Sequence, residues 1–101
     1  MERPVFEITC DTAKAKSNYA KHGATFAEAA SVLLDPLALT VFDSAHSEHE
    51  ERWFTSGMSV NRNLLAVSHT YDATDARIIR VRMISVRLAS RREREQYEHK
   101  R

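Results

Sequence analysis

Met83-Ile84-Ser85-Val86-Arg87-Leu88-Ala89-Ser90-Arg91-Arg92-Glu93-Arg94-Glu95-Gln96-Tyr97 holds a strand end, a short step and a helix start. Its first half closes a β-branched run that opens near Arg77. Ser90 is followed three residues later by Glu93. That spacing makes a capping box, in which the hydroxyl accepts from the Glu93 amide and the carboxylate reaches back to the Ser90 amide. The reading is a long strand that passes almost directly into a C-terminal helix.

Upstream, the pattern predicts strands over Leu64–Tyr71, Arg52–Val60 and Leu37–Phe42. Asn61-Arg62-Asn63 and Asp72–Asp75 are read as turns, with Asn supplying the left-handed residue. In the last strand, Arg77–Arg87, strict alternation puts Arg77, Ile79, Val81, Met83, Ser85 and Arg87 on one face. Ile78, Arg80, Arg82, Ile84 and Val86 fall on the other.

The first third reads differently. Val5–Ile8 is a short strand. Asp11 caps a helix over Thr12–His22, and Gly23 sits where a helix end wants positive φ. Thr25 and Glu28 form a second capping box, which opens Phe26–Leu34, and Asp35-Pro36 ends that helix. The fold class is therefore α+β. A helical hairpin packs on a mainly antiparallel sheet of about four strands, with a helix at the C-terminus and one domain over residues 1–101.

Charge is unevenly placed. From Arg77 onward nine Lys/Arg face three Glu, a surplus of +6, whereas the rest holds six basic and eleven acidic residues, −5. A formal net charge of +1 thus hides a polarised chain, which suits a polyanionic partner for its C-terminal part. No apolar run reaches membrane-spanning length and the charged start resembles no signal peptide, so a cytoplasmic protein without a membrane partner is expected. The lone Cys10 cannot form an internal disulfide, and a small core residue is its ordinary role.

Several residue sets carry potential chemistry. Lys14, Asn18, Lys21 and His22 share one helix face, whose commonest meaning is a solvated surface. His46 and His49 stand among carboxylates, a pattern that more often marks an acidic loop than a metal site, and neither metal nor cofactor is expected. Arginines on the last strand are planar bidentate donors suited to phosphate. They are equally able to pair with the upstream carboxylates.

Asp11, Lys14, Asn18, Lys21-His22-Gly23, Phe26, Glu28-Ala29, Glu51-Arg52, Gly57, Ile84-Ser85, Arg87, Ala89, Glu93 and Tyr97 occur in the order and spacing of one family. The pattern is D-x-x-K-x-x-x-N-x-x-K-H-G, F-x-E-A, E-R and I-S-x-R-x-A-x-x-x-E-x-x-x-Y. On these residues the chain resembles the BrnT toxins of type II toxin–antitoxin modules from Asp11 to Tyr97. The resemblance implies a RelE-like fold and RNA cleavage that inhibits translation. It also implies a BrnA-type ribbon-helix-helix antitoxin, as two toxins with an antitoxin dimer that alone touches operator DNA. One departure stands out: Tyr71 and Asp72 follow Thr70, where many members carry Arg two residues after that Thr.

Metal-free RNA cleavage needs a base for the 2′-hydroxyl proton, cations for the phosphorane oxygens and an acid for the leaving 5′-oxygen. Arg87 and Arg52 are the phosphate-clamp candidates, with Lys14 and His22 from the first helix. Glu51, Glu93, His22 or Tyr97 could move protons. Lys21, Asn18, Arg80, Arg82 and Arg91 are candidates for holding RNA. Structural roles compete: Glu93 has its capping box, Tyr97 suits helix packing, and Glu51 and Arg52 point opposite ways if both are in a strand. The alternative function is a non-enzymatic module that holds an antitoxin or nucleic acid through its basic C-terminal surface.

Overall fold

The computed structural model describes residues 3–99, and at 20–22 the backbone alone. In chain order it contains β1 (Val5–Cys10), α1 (Thr12–His22), α2 (Phe26–Val32), β2 (Leu39–Phe42), β3 (Arg52–Met58), β4 (Leu64–Thr70), β5 (Asp72–Asp75), β6 (Ile78–Leu88) and α3 (Arg91–His99). The strands form one six-stranded sheet in the order β1-β6-β4-β3-β2, with β5 also paired to β6. The expected sheet of about four strands is therefore too small. β1 joins it parallel to β6, and β5 occupies the Asp72–Asp75 segment expected to be a turn. All other pairings are antiparallel.

The caps follow the sequence closely. Asp11 Oδ1 accepts from the amides of Ala13 and Lys14, and Gly23 closes α1 at φ 70°. Ser90 and Glu93 make both arms of their box, at 3.2 and 2.8 Å. The second box forms only half. Thr25 accepts from the Glu28 amide, but the Glu28 carboxylate crosses to Ser59 Oγ and Asn63 Nδ2 in the β3–β4 turn. Those two bonds hold it below the usual carboxylate range. In the same turn the left-handed residue is Arg62, at φ 64°, and not an asparagine.

One side of the sheet carries the core. Phe26, Ala29 and Val32 of α2 meet Leu65, Val67, Ile79, Val81, Met83 and Val86. Full burial of each large apolar side chain stabilises by about 1.5–3 kcal/mol. Gly57 lets α2 come this close, because a Cβ there would stand 2.9 Å from Val32 Cγ1. Cys10 departs from expectation: it is free and exposed at the end of β1.

β6 does not alternate strictly. Ser68 pairs with Ser85 while His69 pairs with Met83, so Ile84 is an extra residue, a β-bulge. Before the bulge the core side chains are odd-numbered, Ile79, Val81 and Met83; after it the core residue is Val86. The bulge therefore moves Arg87 onto the face of Arg80 and Arg82, from which strict alternation had separated it.

Asn18 secures the strand just past this point. β1 ends at the Cys10–Met83 pair, which leaves the next stretch of the β6 edge without a neighbouring strand. There Asn18 Nδ2 donates to the Val86 carbonyl at 2.7 Å and Oδ1 accepts from the Val86 amide at 3.0 Å. One buried side-chain amide thus does what another strand residue would do.

Candidate nucleic-acid interface

Cross-strand partners share a sheet face, so the register fixes what lies opposite the α1–α2 layer. β6 contributes Arg80, Arg82, Ser85 and Arg87, β4 contributes Ala66, Ser68 and Thr70, and β3 contributes Arg52 and Phe54. α3 covers one end of this face, and Leu39 and Val41 line a groove with its Arg92, Glu95, Gln96 and His99. The other end is open.

Every arginine on the face has a carboxylate. Arg80 Nε lies 3.4 Å from Glu7, its register partner on β1. Glu50, in the loop before β3, takes a short hydrogen bond from Arg82 Nη2 and lies 3.5 Å from Arg52. The bond from Arg82 holds the Glu50 carboxyl below its ordinary range. Arg87 meets Glu93 with both nitrogens, at 2.7 and 3.0 Å.

The open end forms a cleft of about 800 Å³ whose lining includes Glu7, Glu50, Glu51, Trp53, Thr70, Tyr71, Asp72, Arg80 and Arg82. Arg82 is fixed at its backbone too, since its amide donates to Thr70 Oγ1 at 2.9 Å. Two buried donors at this end, Arg52 Nε and Trp53 Nε1, have no acceptor among the described residues. Asp72 is held below its usual range by the Thr74 amide and hydroxyl, with Arg80 nearby adding to the effect.

The candidate residues divide into groups. Arg80, Arg82 and Glu51 line the cleft, and Arg52 flanks it through Glu50. Glu51 precedes β3 and so escapes the opposite-face constraint expected for a strand pair. Arg87, Glu93 and Arg91 lie further along, about five residues or roughly 15 Å up β6 from Arg82. Arg91 is 94% exposed and pairs loosely with Glu95. Asn18 is buried with its amide bound to backbone, which leaves no donor free for RNA. Tyr97 is buried with its hydroxyl donating to Asp35 Oδ2 at 2.7 Å. Lys14 is exposed at the start of α1 and does not line the cleft. The Lys21 and His22 side chains lie outside the described residues.

Glu50, Glu7, Trp53 and Tyr71 belong to this cleft and were not read as site residues from the sequence. Glu50, two before Arg52 in a polar loop, offered the only local signal; the others arrive through long-range pairing. His46 is engaged with Asp43 at 2.9 Å, and no three metal-binding side chains converge among the described residues. No helix among them is long and apolar enough to cross a membrane.

Comparison with known proteins bears on most of the chain. Its structure is similar to the Brucella abortus ribonuclease toxin BrnT, solved by crystallography at 1.1 Å. The TM-score is 0.61 at 24% identity, over 86% of this chain and 100% of that one, a likeness of fold. No curated protein sequence matches. A family model described as the ribonuclease toxin BrnT of type II toxin–antitoxin systems matches residues 11–93. With that match covering most of the chain, from the α1 cap to the Arg87–Glu93 pair, the chain belongs to the BrnT family of ribonuclease toxins.

Proposed function

We propose that this protein is a RelE-like endoribonuclease that cleaves RNA in the cytoplasm without a metal ion and so inhibits translation. The carrying observation is the convergence of Arg80 and Arg82 on one open cleft that also holds Glu51, with Arg52 beside it through Glu50. The arginines are rigid donors for phosphate oxygens, held by strand backbone before substrate arrives. Glu51, which has no hydrogen bond or ion pair among the described residues, takes the 2′-hydroxyl proton. The 2′-oxygen then attacks phosphorus, the arginines stabilise the phosphorane charge, and the bond to the 5′-oxygen breaks, with solvent in the open cleft supplying its proton.

The family implies an antitoxin partner. On the resemblance already described, that partner is a BrnA-type ribbon-helix-helix protein, two toxins bind one antitoxin dimer, and operator DNA is bound only through the antitoxin. The exposed arginines of α3, Arg91, Arg92 and Arg94, suit an acidic segment of such a partner.

One observation favours a second reading. Glu7, Glu50 and Glu93 already hold the arginines, and Asp72 stands near Arg80, so the face is closer to neutral than its arginines suggest. A non-enzymatic module would hold antitoxin or nucleic acid through the α3 arginines and leave RNA intact. Incubation of purified protein with RNA in EDTA separates these readings. The enzyme yields fragments with 2′,3′-cyclic phosphate ends. Intact but shifted RNA supports the binding module, and activity that returns only with a divalent ion overturns metal independence.

A further inference from the structure

We infer that the free edge of β1 docks an extended segment of the antitoxin, which adds to the sheet there as a further strand and closes the arginine cleft. This rests on the proposed function for both the partner and the cleft, and the segment is distinct from the one facing α3.

β1 and β2 are the outer strands of the sheet. β2 has four residues and shares a groove with α3, whereas β1 has six, with no proline, lysine or bulge among them. Short length, such residues and bulges are the usual guards against edge pairing, so β1 is the unguarded edge. The Val5 amide donates to the Arg77 carbonyl at 2.9 Å, which turns the backbone groups of Val5, Glu7 and Thr9 toward β6. Those of Phe6, Ile8 and Cys10 therefore point outward, where no strand lies among the described residues.

The two faces of this edge ask for different side chains. On the core face, β1 and the end of α2 leave an open groove of about 520 Å³, whose lining includes Phe6, Ile8, Ala30, Leu33 and Leu34 and no charged residue. On the other face Glu7 and Thr9 stand beside Arg80 and Arg82, their register partners, and all four line the cleft. Glu7 repels a carboxylate directly opposite it, whereas one opposite Thr9 faces Arg82. Successive side chains of a strand point to opposite faces, so one segment satisfies both if apolar residues alternate and an acidic one stands between two of them. Backbone bonds to β1 supply affinity, and the groove selects the side chains. The carboxylate beside Arg82 takes the place of an RNA phosphate, which is how docking stops cleavage.

The probe is an end-capped peptide with the central run Val-Glu-Val-Thr-Leu, which sets Glu opposite Thr9 in an antiparallel pairing. Two copies carry one N-methyl group each, on the central Val, whose amide faces β1, or on the Glu, whose amide faces away. Binding is read by calorimetry and by amide exchange, with wild type and with Leu34→Lys, a change at a 73% exposed position that leaves the core intact. Docking slows exchange at Phe6, Ile8 and Cys10. Methylation of the central Val weakens binding roughly tenfold, the loss of about one backbone bond, whereas methylation of the Glu leaves it unchanged. Leu34→Lys also binds more weakly, and RNA cleavage by wild type falls as the peptide saturates it.

Absence of binding, or binding that ignores the position of the methyl group, overturns the docking strand while cleavage of RNA by the free protein still stands. A free protein that is already a dimer with these three amides protected assigns the edge to a second copy and overturns the antitoxin segment. Docking that leaves RNA cleavage unchanged overturns closure of the cleft. A protein that docks the peptide in this way but cleaves no RNA overturns the ribonuclease reading and leaves the docking strand in place.

Discussion

Arg87 and Glu93 meet fork to fork, Nη1 to Oε1 at 2.7 Å and Nη2 to Oε2 at 3.0 Å, across the step between β6 and α3. The same carboxylate accepts from the Ser90 amide, so one group caps α3 and ties it to the sheet. These bonds, the one from Arg87 foremost, lower the Glu93 pKa to about 2 from its ordinary 4.5. A depressed carboxylate stabilises the fold above its unfolded pKa and loses that contribution as pH falls through its folded value. Wild type should therefore lose stability between about pH 4.5 and 2, by about 1–2 kcal/mol after allowance for solvent at the part-exposed arginine. Glu93→Gln should be less stable at pH 7 and lack most of this acid limb in urea titrations. Arg87→Lys, which keeps charge but loses the fork, should lose RNA cleavage only in step with its melting temperature.

His69 predicts a second, separate pH effect. It is 1% exposed, with Nδ1 on the Thr70 carbonyl at 2.9 Å and Nε2 on Thr55 Oγ1 at 2.7 Å. A carbonyl can only accept, so Nδ1 carries the proton and Thr55 donates to Nε2. Burial pushes the His69 pKa below its usual 6.5. The unfolded chain then binds more protons than the fold just below that value, so stability present above pH 6.5 declines as pH falls. Comparing urea midpoints at pH 7.5 and 5.5 should show the decline in wild type and a flatter response in His69→Asn. An equal slope in both would place the titrating group elsewhere.

Gly57→Ala should destabilise through contact alone. Its Cβ would meet Val32 Cγ1 at 2.9 Å, Ala38 Cβ at 3.0 Å and Asp35 Oδ2 at 3.2 Å. Asp35 is itself fixed, accepting from the Met58 amide and the Tyr97 hydroxyl, and cannot retreat freely. Overpacking of this kind costs about 1–3 kcal/mol. Val32→Ala in the same chain should recover part of the loss, and failure to do so in a double-mutant cycle would show that the Asp35 side sets the strain.

The local features were legible in the sequence, and the long-range ones were not. Asp11, Gly23 and the Ser90–Glu93 box declare themselves within four residues, and each forms as read. The bulge at Ile84 leaves no mark, because β6 carries apolar residues on both faces and either parity looks plausible. β5 was missed because Asp72 and Asp75 look like turn residues, yet their backbones pair with Arg80 and Ile78. Asn18 and Glu28 look like helix-surface residues, but their partners lie 68, 31 and 35 positions away. In the cleft, charge showed that arginines would gather; which carboxylate holds which arginine depends on register.

Asn18 also gives a test of the bulge. Asn18→Ala would leave the buried Val86 amide and carbonyl without their partner, at a cost of about 1–3 kcal/mol for each unsatisfied group. Asn18→Asp still accepts from the Val86 amide but sets a carboxylate against the Val86 carbonyl. Both variants should melt earlier, with Asp no better than Ala. Hydrogen exchange should speed up at Val86 and its neighbours before it does in β3. Unchanged protection there would mean that β4 alone holds β6 past the bulge.

The carboxylates of the cleft should separate by substitution, because Glu50 and Glu51 are neighbours with different surroundings. Glu50 is tied to Arg82 and Arg52, so its charge competes with any phosphate for the same guanidinium groups. Glu51 lines the cleft without such a tie. Glu50→Gln should bind RNA more tightly than wild type, since an entering phosphate no longer displaces an anion. Arg82→Ala should bind more weakly and lower the slope of log affinity against log salt by about one phosphate contact, roughly 0.7 for a single strand. Glu51→Gln keeps size and removes the base, so affinity for an uncleavable oligonucleotide should stay while cleavage falls by about 10²–10⁴-fold. The discriminating measurement is single-turnover cleavage beside equilibrium binding for all three variants. If Glu51→Gln cleaves normally and Glu50→Gln does not, the base is the carboxylate on Arg82, and Arg82 then serves to set its protonation and not to hold the phosphate.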